Sequence, residues 1–276
     1  MTSTIAGPPA TPATTAAQTD GDRLIEALDR FRREVEAQLG PAVAGTEPEA
    51  LHDLRVAVRR TRSGLKHSEG VLSREKRRRF QREFSRLQDV TGPARDFEVW
   101  MAALPDDDPL RLVLAGYHDE ARRDAVAALG SRHTKKLLAR WHSVLASLRT
   151  GNEAVSSEER IERQQQLVME AAALADVHAE AVDLHRVRKR AKELRYLIEL
   201  FTTANTPAPR LEMRRQLKKV QDALGDVQDA AVQREWLIAH ADEVGPIDVR
   251  LKEIDERDAV ARADYRERFA QFAAIE

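Results

Sequence analysis

Positive charge follows one face of a predicted helix near the end of the first quarter of the chain. A histidine there is followed, at steps of three, four, three and four residues, by basic side chains: His52, Arg55, Arg59, Arg62 and Lys66. Such steps place side chains on one face of an α-helix, here over roughly 21 Å. The neighbouring face is apolar and suits a core; it carries Leu51, Leu54, Val58 and Leu65. The pattern predicts a row of anion-binding positions.

A second basic row lies 133 residues further along the chain. Its members are His185, Arg188, Lys189, Lys192 and Arg195. The same offset relates Gln88-Asp89 to Gln221-Asp222, Gly92 to Gly225, and Asp96 to Asp229. Arg-rich amphipathic helices match each other easily, but the shared histidine and the shared Gln-Asp-x-x-Gly-x-x-x-Asp segment argue against coincidence. We therefore predict an internal duplication that gives two similar halves.

Each row is followed by a second basic helix. The basic positions are Arg78, Arg82 and Arg86 in the first half, and Arg215, Lys218 and Lys219 in the second. Two rows on neighbouring helices would line a groove. Lys135, Lys136 and Arg140 would extend it, although a plain surface role suits them equally well.

The basic rows differ from an ordinary solvated helix face. Such faces alternate in sign and form pairs four residues apart. The first row contains no acidic residue, and the second has only Glu199 at its end. Because unpaired like charges cost stability, we expect an anionic ligand to neutralise them; an ordinary solvated face is the alternative.

His52 and His185 begin the two rows, and three roles remain open for them. A ring nitrogen could donate to phosphate, could make a structural hydrogen bond, or could bind a metal. Neither histidine has His, Asp or Glu three or four residues further along its helix. His178 is on the face of His185 but about 10 Å away by helix rise. We predict no metal site.

The repeated carboxylates suggest either Mg²⁺ with phosphoryl chemistry or a supporting role. Asp89 follows Arg86 by one turn, and Asp222 follows Lys218 by one turn. We predict that Gln88, Asp89, Gln221 and Asp222 orient the basic side chains. Gly92 and Gly225 would let helices bend or pack closely. No phosphate-binding Gly-x-x-x-x-Gly-Lys loop is present, so we expect no enzymatic activity and no cofactor.

Composition favours a charged helical protein. Charged residues make up 33% and aromatic residues 5% of the 276 residues, and there is no cysteine for disulfides, thiolate chemistry or metal binding. The net charge is only −1, yet residues 52–86 hold twelve Arg/Lys against four Asp/Glu, and residues 185–219 eleven against three. Basic charge is thus concentrated in the two repeated segments. No apolar run is long enough to span a membrane.

We predict an all-α fold. Residues 1–19 are expected to be a disordered tail, and residues 20–276 one domain, with halves at about 20–150 and 156–276. The Gly40-Pro41 pair is predicted to end the first helix, and a helix from about Pro48 to Leu72 carries the first row. Gly92-Pro93 should break the chain after the second basic helix, and Gly225 should allow a kink.

The motifs resemble the CHAD family, the conserved-histidine α-helical domain. They read L-H-D-L-R-V-A-V-R-R-T-R with L-Q-D-V-T-G-P-A-R-D, and L-H-R-V-R-K-R-A-K-E-L-R-Y with V-Q-D-A-L-G-D-V-Q-D. The resemblance covers roughly residues 20 to 275 and implies two pseudo-symmetric helical bundles around a basic groove. The two halves differ at one position after the shared glycine: the first half has Pro93 where the second has Asp226. The Glu-x-Glu-x-Lys pattern of triphosphate-tunnel enzymes, often fused to such domains, is missing, because Glu34-Val-Glu36 lacks the lysine.

The resemblance implies non-catalytic binding of inorganic polyphosphate, whereas the residues alone indicate only an extended polyanion. The protein is then expected in the cytoplasm, with polyphosphate granules as a place of action, and no membrane partner. Two alternatives remain: a nucleic-acid-binding helical protein, and a polyphosphate or triphosphate phosphohydrolase with Asp-bound Mg²⁺. Base stacking would need aromatic residues between the basic ones, and only Phe80, Phe84 and Tyr196 are near. The oligomeric state stays open.

Overall fold

The structure, a computed structural model, describes residues 19–47, 49–148, 156–175 and 180–275. Those segments form α-helices and contain no β-strand, so the all-α prediction is confirmed. The helices are α1 (Asp20–Ala44), α2 (Ala50–Lys66), α3 (Arg74–Val90), α4 (Gly92–Ala103), α5 (Leu110–Gly130), α6 (Arg132–Ser147), α7 (Ser157–Leu174), α8 (Ala181–Phe201), α9 (Ala208–Ala239), α10 (Ala241–Val244) and α11 (Asp248–Ala273). Residues 1–18 of the predicted tail (1–19) and the predicted boundary near residue 150 lie outside the described residues; Thr19 is the N-cap of α1.

Side-chain caps set several helix starts. Thr19 and Asp22 form a reciprocal capping box at α1. Ser73, Ser131 and Ser156 each accept a hydrogen bond from the backbone N–H three residues on, at the starts of α3, α6 and α7. These contacts satisfy N–H groups that have no partner within the helix.

Two predicted helix ends are wrong. Helix α1 does not stop at Gly40-Pro41 but continues to Ala44, since Ala42 packs into the core and Gly45 supplies the left-handed cap. The Gly45 N–H donates to the carbonyl of Pro41 at 2.8 Å, which closes the last turn. Helix α2 runs from Ala50 to Lys66 rather than to Leu72.

The two Gly-containing segments fold differently. In the first half, α3 ends at Val90 and α4 begins at Gly92, with Pro93 in its first turn. In the second half, α9 passes through Gly225, where we predicted that a kink is allowed, as one continuous helix. A proline lacks the N–H that would continue a helix, whereas Asp226 retains it. The sequence difference at this position thus accounts for the different backbones.

The cores join the halves. The larger apolar cluster draws on helices of both halves, from Leu24 in α1 to Phe272 in α11. A smaller cluster links α4 and α5 to the ends of α9 and α11; its buried residues are Trp100, Leu110, Leu114, Ala230, Leu237 and Ile254. Helix α1 packs on α2 as α7 packs on α8, and α2 also packs against α8. The fold therefore brings the two basic rows together, while the duplication itself stays a prediction.

Candidate functional site

Four basic side chains converge where α2 packs against α8, and we call them the central cluster: Arg59, Arg62, Arg188 and Lys192. All four are partly buried. Among the described residues, none of the four has an Asp or Glu at ion-pairing distance. The cluster therefore holds concentrated positive charge, drawn from both halves, without a carboxylate in direct contact.

Lys192 is the most strongly affected group of the central cluster. Burial, followed by repulsion from Arg188, Arg59, Arg62 and Arg195, lowers the pKa of its amine to about 7. Burial also lowers the pKa of Arg62, although Asp89 nearby acts in the opposite direction. A depressed pKa means that the protein disfavours the charged form. An anion in this position would relieve that penalty.

Arg55 has a structural role in addition to its place in the first row. Its guanidinium is buried, and Nη1 donates to the carbonyl of Gln88 at 2.8 Å and to Oγ1 of Thr91 at 3.0 Å. Burial lowers the pKa of Arg55 to about 10. Arg55 thus ties α2 to the junction of α3 and α4. The sequence did not reveal this, because the acceptors are a backbone carbonyl and a hydroxyl.

The two repeated glycines each lie against a guanidinium. A Cβ on Gly92 would sit 3.6 Å from Nη1 of Arg55, and a Cβ on Gly225 would sit 3.6 Å from Nη2 of Arg188. Neither glycine has a positive φ. The space above each glycine is therefore what matters at these positions, since it leaves room for an arginine on the facing helix.

Asp96 and Asp229 lie beside the cluster, and each interacts with Arg188. Partial burial raises the pKa of both carboxyls. The positive charge of Arg188 acts in the opposite direction on both, and Arg55 and Arg59 do so on Asp96. The charge of Asp96 also raises the pKa of Asp229, so the two carboxylates are near each other. Both remain exposed to solvent. They form an acidic border to the central cluster.

The two histidines have different environments. Burial, then repulsion from Arg95 and Arg59, lowers the pKa of His52. The ring of His185 is hydrogen-bonded through Nδ1 to Oε1 of Gln228. His178 lies outside the described residues. Within the described segments, no three His, Asp or Glu side chains are grouped so as to hold a metal ion.

Arg95 is a neighbour of the site that sequence reasoning missed. Its charge acts on His52, Arg55 and Asp96, and it pairs with Glu98 at 2.7 Å. Glu98 lies three residues further along the helix, and such an Arg–Glu pair is typical of a solvated helix surface. Only the position of α4 beside α2 brings it to the site.

The ends of the two rows are neutralised by ion pairs. Lys66 pairs with Glu193 of the other half at 2.8 Å, and Arg195 pairs with Glu199 at 2.5 Å. Arg195 also donates from Nε to Gln221, which in turn donates to the carbonyl of Ala191. Lys189 is exposed. The unpaired part of the rows is therefore shorter than the sequence indicated.

Among the supporting carboxylates, one predicted pairing is present and one is not. Lys218 pairs with Asp222 at 2.7 Å. Arg86 instead pairs with Glu83 at 3.6 Å, while Asp89 accepts a hydrogen bond from Ser85; the prediction for Asp89 and Arg86 is wrong. Glu83 is one helical turn before Arg86 and competes successfully for it. With its amide nitrogen turned toward the carbonyl of Arg55, Gln88 also accepts from the guanidinium of Arg55.

The second basic helices contribute mainly exposed charge. Phe80 and Phe84 pack against Trp141 of α6, which leaves Arg78, Arg82 and Arg86 exposed on the surface of α3. In the second half, Arg215 pairs with Glu212 at 2.5 Å, and Lys219 is half-buried. Between α8 and α9 lies an open cleft of about 610 Å³, lined by Arg195, Glu199, Ala208, Leu211, Glu212, Arg214, Arg215 and Lys218.

Helices α3 and α6 together carry exposed basic residues that we call the outer basic face: Arg78, Arg82, Lys136 and Arg140. The two helices are joined by the Phe80–Trp141 contact and by a hydrogen bond between Glu83 and His133 at 2.6 Å. All four charges project into water. The outer basic face belongs entirely to the first half.

A comparison with protein families identifies the chain. The model of the CHAD domain matches residues 24–238, which is most of the sequence. The chain belongs to the CHAD domain family. The predicted resemblance to this family is thereby confirmed.

Curated CHAD relatives are longer proteins. The chain is 30% identical over 222 residues to uncharacterized protein Rv2226 of Mycobacterium tuberculosis strain H37Rv, which covers 72% of this chain and 42% of that protein. Uncharacterized protein MT2285 of strain CDC 1551 matches equally well. The chain therefore spans less than half the length of these relatives.

Solved structures share the CHAD fold. The crystal structure of the CHAD domain from the plant Ricinus communis matches with a TM-score of 0.71 and 23% identity, over 95% of this chain and 92% of that one. PptA from Streptomyces chartreusis matches with a TM-score of 0.69 and 15% identity, over 92% and 97%. At 23% and 15% identity, these structural similarities establish the fold of this chain alone. Across the described part of this CHAD domain, no helix is long and apolar enough to cross a membrane.

Proposed function

We propose that this CHAD domain binds inorganic polyphosphate without turning it over, through basic side chains contributed by both halves. The observation that carries the proposal is the convergence of Arg59, Arg62, Arg188 and Lys192, with no direct carboxylate partner among the described residues. Like charges held together in a partly buried place are unfavourable unless an anion occupies it. Arginine forks suit phosphate oxygens, which favours a phosphate ligand over a simple carboxylate.

The compactness of the cluster favours polyphosphate over nucleic acid. Every phosphorus of a polyphosphate chain carries charge, with no sugar or base between successive groups, so several charges reach a small area. A single-strand binder would also offer aromatic surfaces for base stacking. Here Phe80 and Phe84 are buried in the core, and the buried ring of Tyr196 lies under Arg195 at 4.5 Å.

A phosphohydrolase is the weaker alternative. Phosphoryl transfer needs carboxylates free to hold Mg²⁺ beside the phosphates. Asp222 is paired with Lys218, and Asp89 acts on Arg62. Asp96 and Asp229, which lie near each other, both act on Arg188. These contacts with basic side chains suit the supporting role. We propose that the domain holds the chain and that, in the cytoplasm, it associates with polyphosphate granules.

The decisive experiment is a binding comparison at one fixed salt concentration. Long-chain polyphosphate, pyrophosphate and single-stranded DNA of similar total charge are titrated into the purified protein and followed by calorimetry. Long polyphosphate should bind at least about tenfold more tightly than the DNA and than pyrophosphate, because only it places several adjacent charges in the cluster. Equal or tighter binding of the DNA would replace this proposal with the nucleic-acid reading.

Turnover is tested separately. Protein incubated with Mg²⁺ and either polyphosphate or a nucleoside triphosphate should release no phosphate above a protein-free control. Release that disappears in Asp89→Ala or Asp222→Ala would favour the phosphohydrolase instead.

A further inference from the structure

The amine of Lys192 is held in a position where a positive charge is unfavourable in the free protein. Lys192 is partly buried on α8, where that helix packs against α2. On its own helix, Arg188 precedes it by one turn and Arg195 follows it by almost one turn. The partly buried Arg59 and Arg62 act on it from α2. Among the described residues, no Asp or Glu forms an ion pair with Lys192. Burial and these four charges lower its pKa to about 7. Above pH 7 the amine is mostly neutral in the empty site, where it is a poor ligand for phosphate but a ready acceptor of a proton.

Carboxylates on the surrounding helices do not relieve Lys192 directly. Asp89 of α3 acts on Arg62, and Asp96 of α4 acts on Arg59 and Arg188. Asp226 and Asp229 of α9 both act on Arg188. Glu199 is engaged by Arg195. Each acid near the cluster thus interacts chiefly with an arginine, and arginine keeps its proton throughout the physiological range. Lys192 is the member of the cluster whose charge can change near neutral pH.

An entering polyanion reverses the balance at this amine. It adds several negative charges beside Lys192 and offsets the four repelling arginines, both of which favour the protonated form. By linkage, a ligand that binds the protonated form better draws a proton from solution as it binds.

We infer that Lys192 takes up one proton when polyphosphate binds, so that the site completes its positive charge only in the complex. The inference rests on the proposed function and adds a regulation to it: affinity falls as the medium becomes alkaline. The balance is simple, since the neutral amine and a solvent proton become an ammonium group, and no bond of the ligand is broken. A neutral lysine in the free protein also lowers the repulsion that the empty site must tolerate.

Calorimetry of the full chain with long-chain polyphosphate measures this uptake. Titrations in Hepes, imidazole and Tris, which differ in ionisation enthalpy, give the number of protons bound at each pH. We expect close to one proton at about pH 8, about half at pH 7 and near zero at pH 6. Above pH 7 the affinity should fall by up to about tenfold per pH unit. The few terminal phosphates of a long chain release protons on binding, and they do so equally for every variant.

The matched variant is Lys192→Arg, which keeps a positive charge that does not titrate. It should bind polyphosphate with no uptake and with little change of affinity between about pH 7 and 8. Lys192→Met serves if the larger side chain disturbs the packing, and circular dichroism checks the fold of both. Wild-type protein that binds polyphosphate with the same proton count as these variants overturns the inference and leaves the proposed function intact. Absence of polyphosphate binding at every pH overturns both.

A second measurement uses the free protein. The rate at which an amine reagent labels Lys192, followed by mass spectrometry, should rise with a midpoint near pH 7, whereas exposed Lys136 should show an ordinary lysine midpoint. Saturating polyphosphate should move the midpoint of Lys192 upward. An unshifted midpoint in the free protein would contradict the inference without any reference to ligand affinity.

Discussion

The central cluster and the outer basic face have similar composition but very different surroundings. Both consist of three arginines and one lysine at helical spacing. The cluster is partly buried between α2 and α8 and draws on both halves, whereas the outer basic face is exposed on α3 and α6. Water screens the outer charges from one another. The comparison teaches that convergence and partial burial, rather than the number of arginines, distinguish a candidate site from a solvated surface.

The difference has a cost for stability. Exposed charges add little to the free energy of unfolding in either direction. Partly buried like charges are unfavourable until a ligand compensates them. We therefore expect the central cluster to lower the free energy of unfolding of the ligand-free protein and to raise that of the complex. The outer basic face should change neither.

Charge removal should give the largest contrast between the two regions. The triple variant Arg59→Gln, Arg62→Gln, Arg188→Gln should lose at least about 100-fold in polyphosphate affinity, since each tenfold corresponds to about 1.4 kcal/mol. The matched control Arg78→Gln, Arg82→Gln, Arg140→Gln removes the same charge and should lose only a few-fold. Arg55 is left intact because it holds Gln88 and Thr91. Equal losses in two folded variants, measured by titration, would mean that binding follows overall charge alone.

Salt dependence sharpens the same contrast. Each phosphate contact releases counterions. For single-stranded nucleic acid, each contact contributes about −0.7 to the slope of log affinity against log salt. The cluster triple variant should therefore reduce the slope of log affinity against log salt by about 2. The outer triple variant should reduce it by less than 1. Affinities at four or more salt concentrations supply both slopes, and identical slopes would place the contacts elsewhere.

The glycine beside the cluster offers a more local test. Gly225→Ala should bind as wild type and stabilise by about 0.5–1 kcal/mol, because a Cβ there meets Nη2 of Arg188 at ordinary contact distance within a continuous helix. Gly225→Leu should displace the guanidinium and cost about tenfold in affinity. Gly116→Leu is the control, since nothing lies within 4 Å of its Cβ. If Gly225→Leu binds normally in a folded protein, then the placement of Arg188 does not matter.

Much of the fold could be predicted because local patterns decide it. Helical periodicity predicts the helices, and the structure shows Ser73 and Ser156 capping the starts of α3 and α7. The end of α1 could not be predicted from Gly40-Pro41, because burial of Ala42 outweighed a local breaker. The break at Gly92-Pro93 could be predicted, because proline cannot continue the hydrogen bonding of a helix. Asp226 at the corresponding position lets α9 continue.

The residues of the candidate site could be predicted from the sequence, but the separate role of each residue could not. Spacing identified Arg59, Arg62, Arg188 and Lys192 as members of the rows. Nothing local showed that Arg55 would be engaged by a backbone carbonyl, or that Lys66 would meet Glu193 from the other half. Those partners lie on other helices, so tertiary packing alone selects them. The proximity of Arg95 to His52 has the same origin.

Replacing Lys192 should give the smallest of these effects. The effect is on stability, and the direction of its pH dependence follows from the pKa of the amine. The pKa of Lys192 is about 7 in the folded protein, against an ordinary value of 10.5. The unfolded chain therefore holds a proton between about pH 7 and 10.5 that the folded protein has released, so wild-type stability rises with pH in that window. Below pH 7 the amine is charged in both states, and the penalty for placing that charge among arginines is complete and constant.

Lys192→Met removes this penalty, so the ligand-free variant should be more stable than wild type at pH 7 and below. Because the amine stays partly open to water, we expect about 1–2 kcal/mol, which is about 2–8 °C in Tm for a protein near this size. The gain should shrink as the pH rises toward 10.5. Lys136→Met on the outer basic face should change Tm by at most about 1–2 °C at every pH, since an exposed substitution lies within about 0.5 kcal/mol. Thermal melts followed by circular dichroism at several pH values measure both variants. A gain for Lys192→Met that does not depend on pH would assign the effect to packing of the methionine, and the charge of the central cluster would then carry no measurable cost.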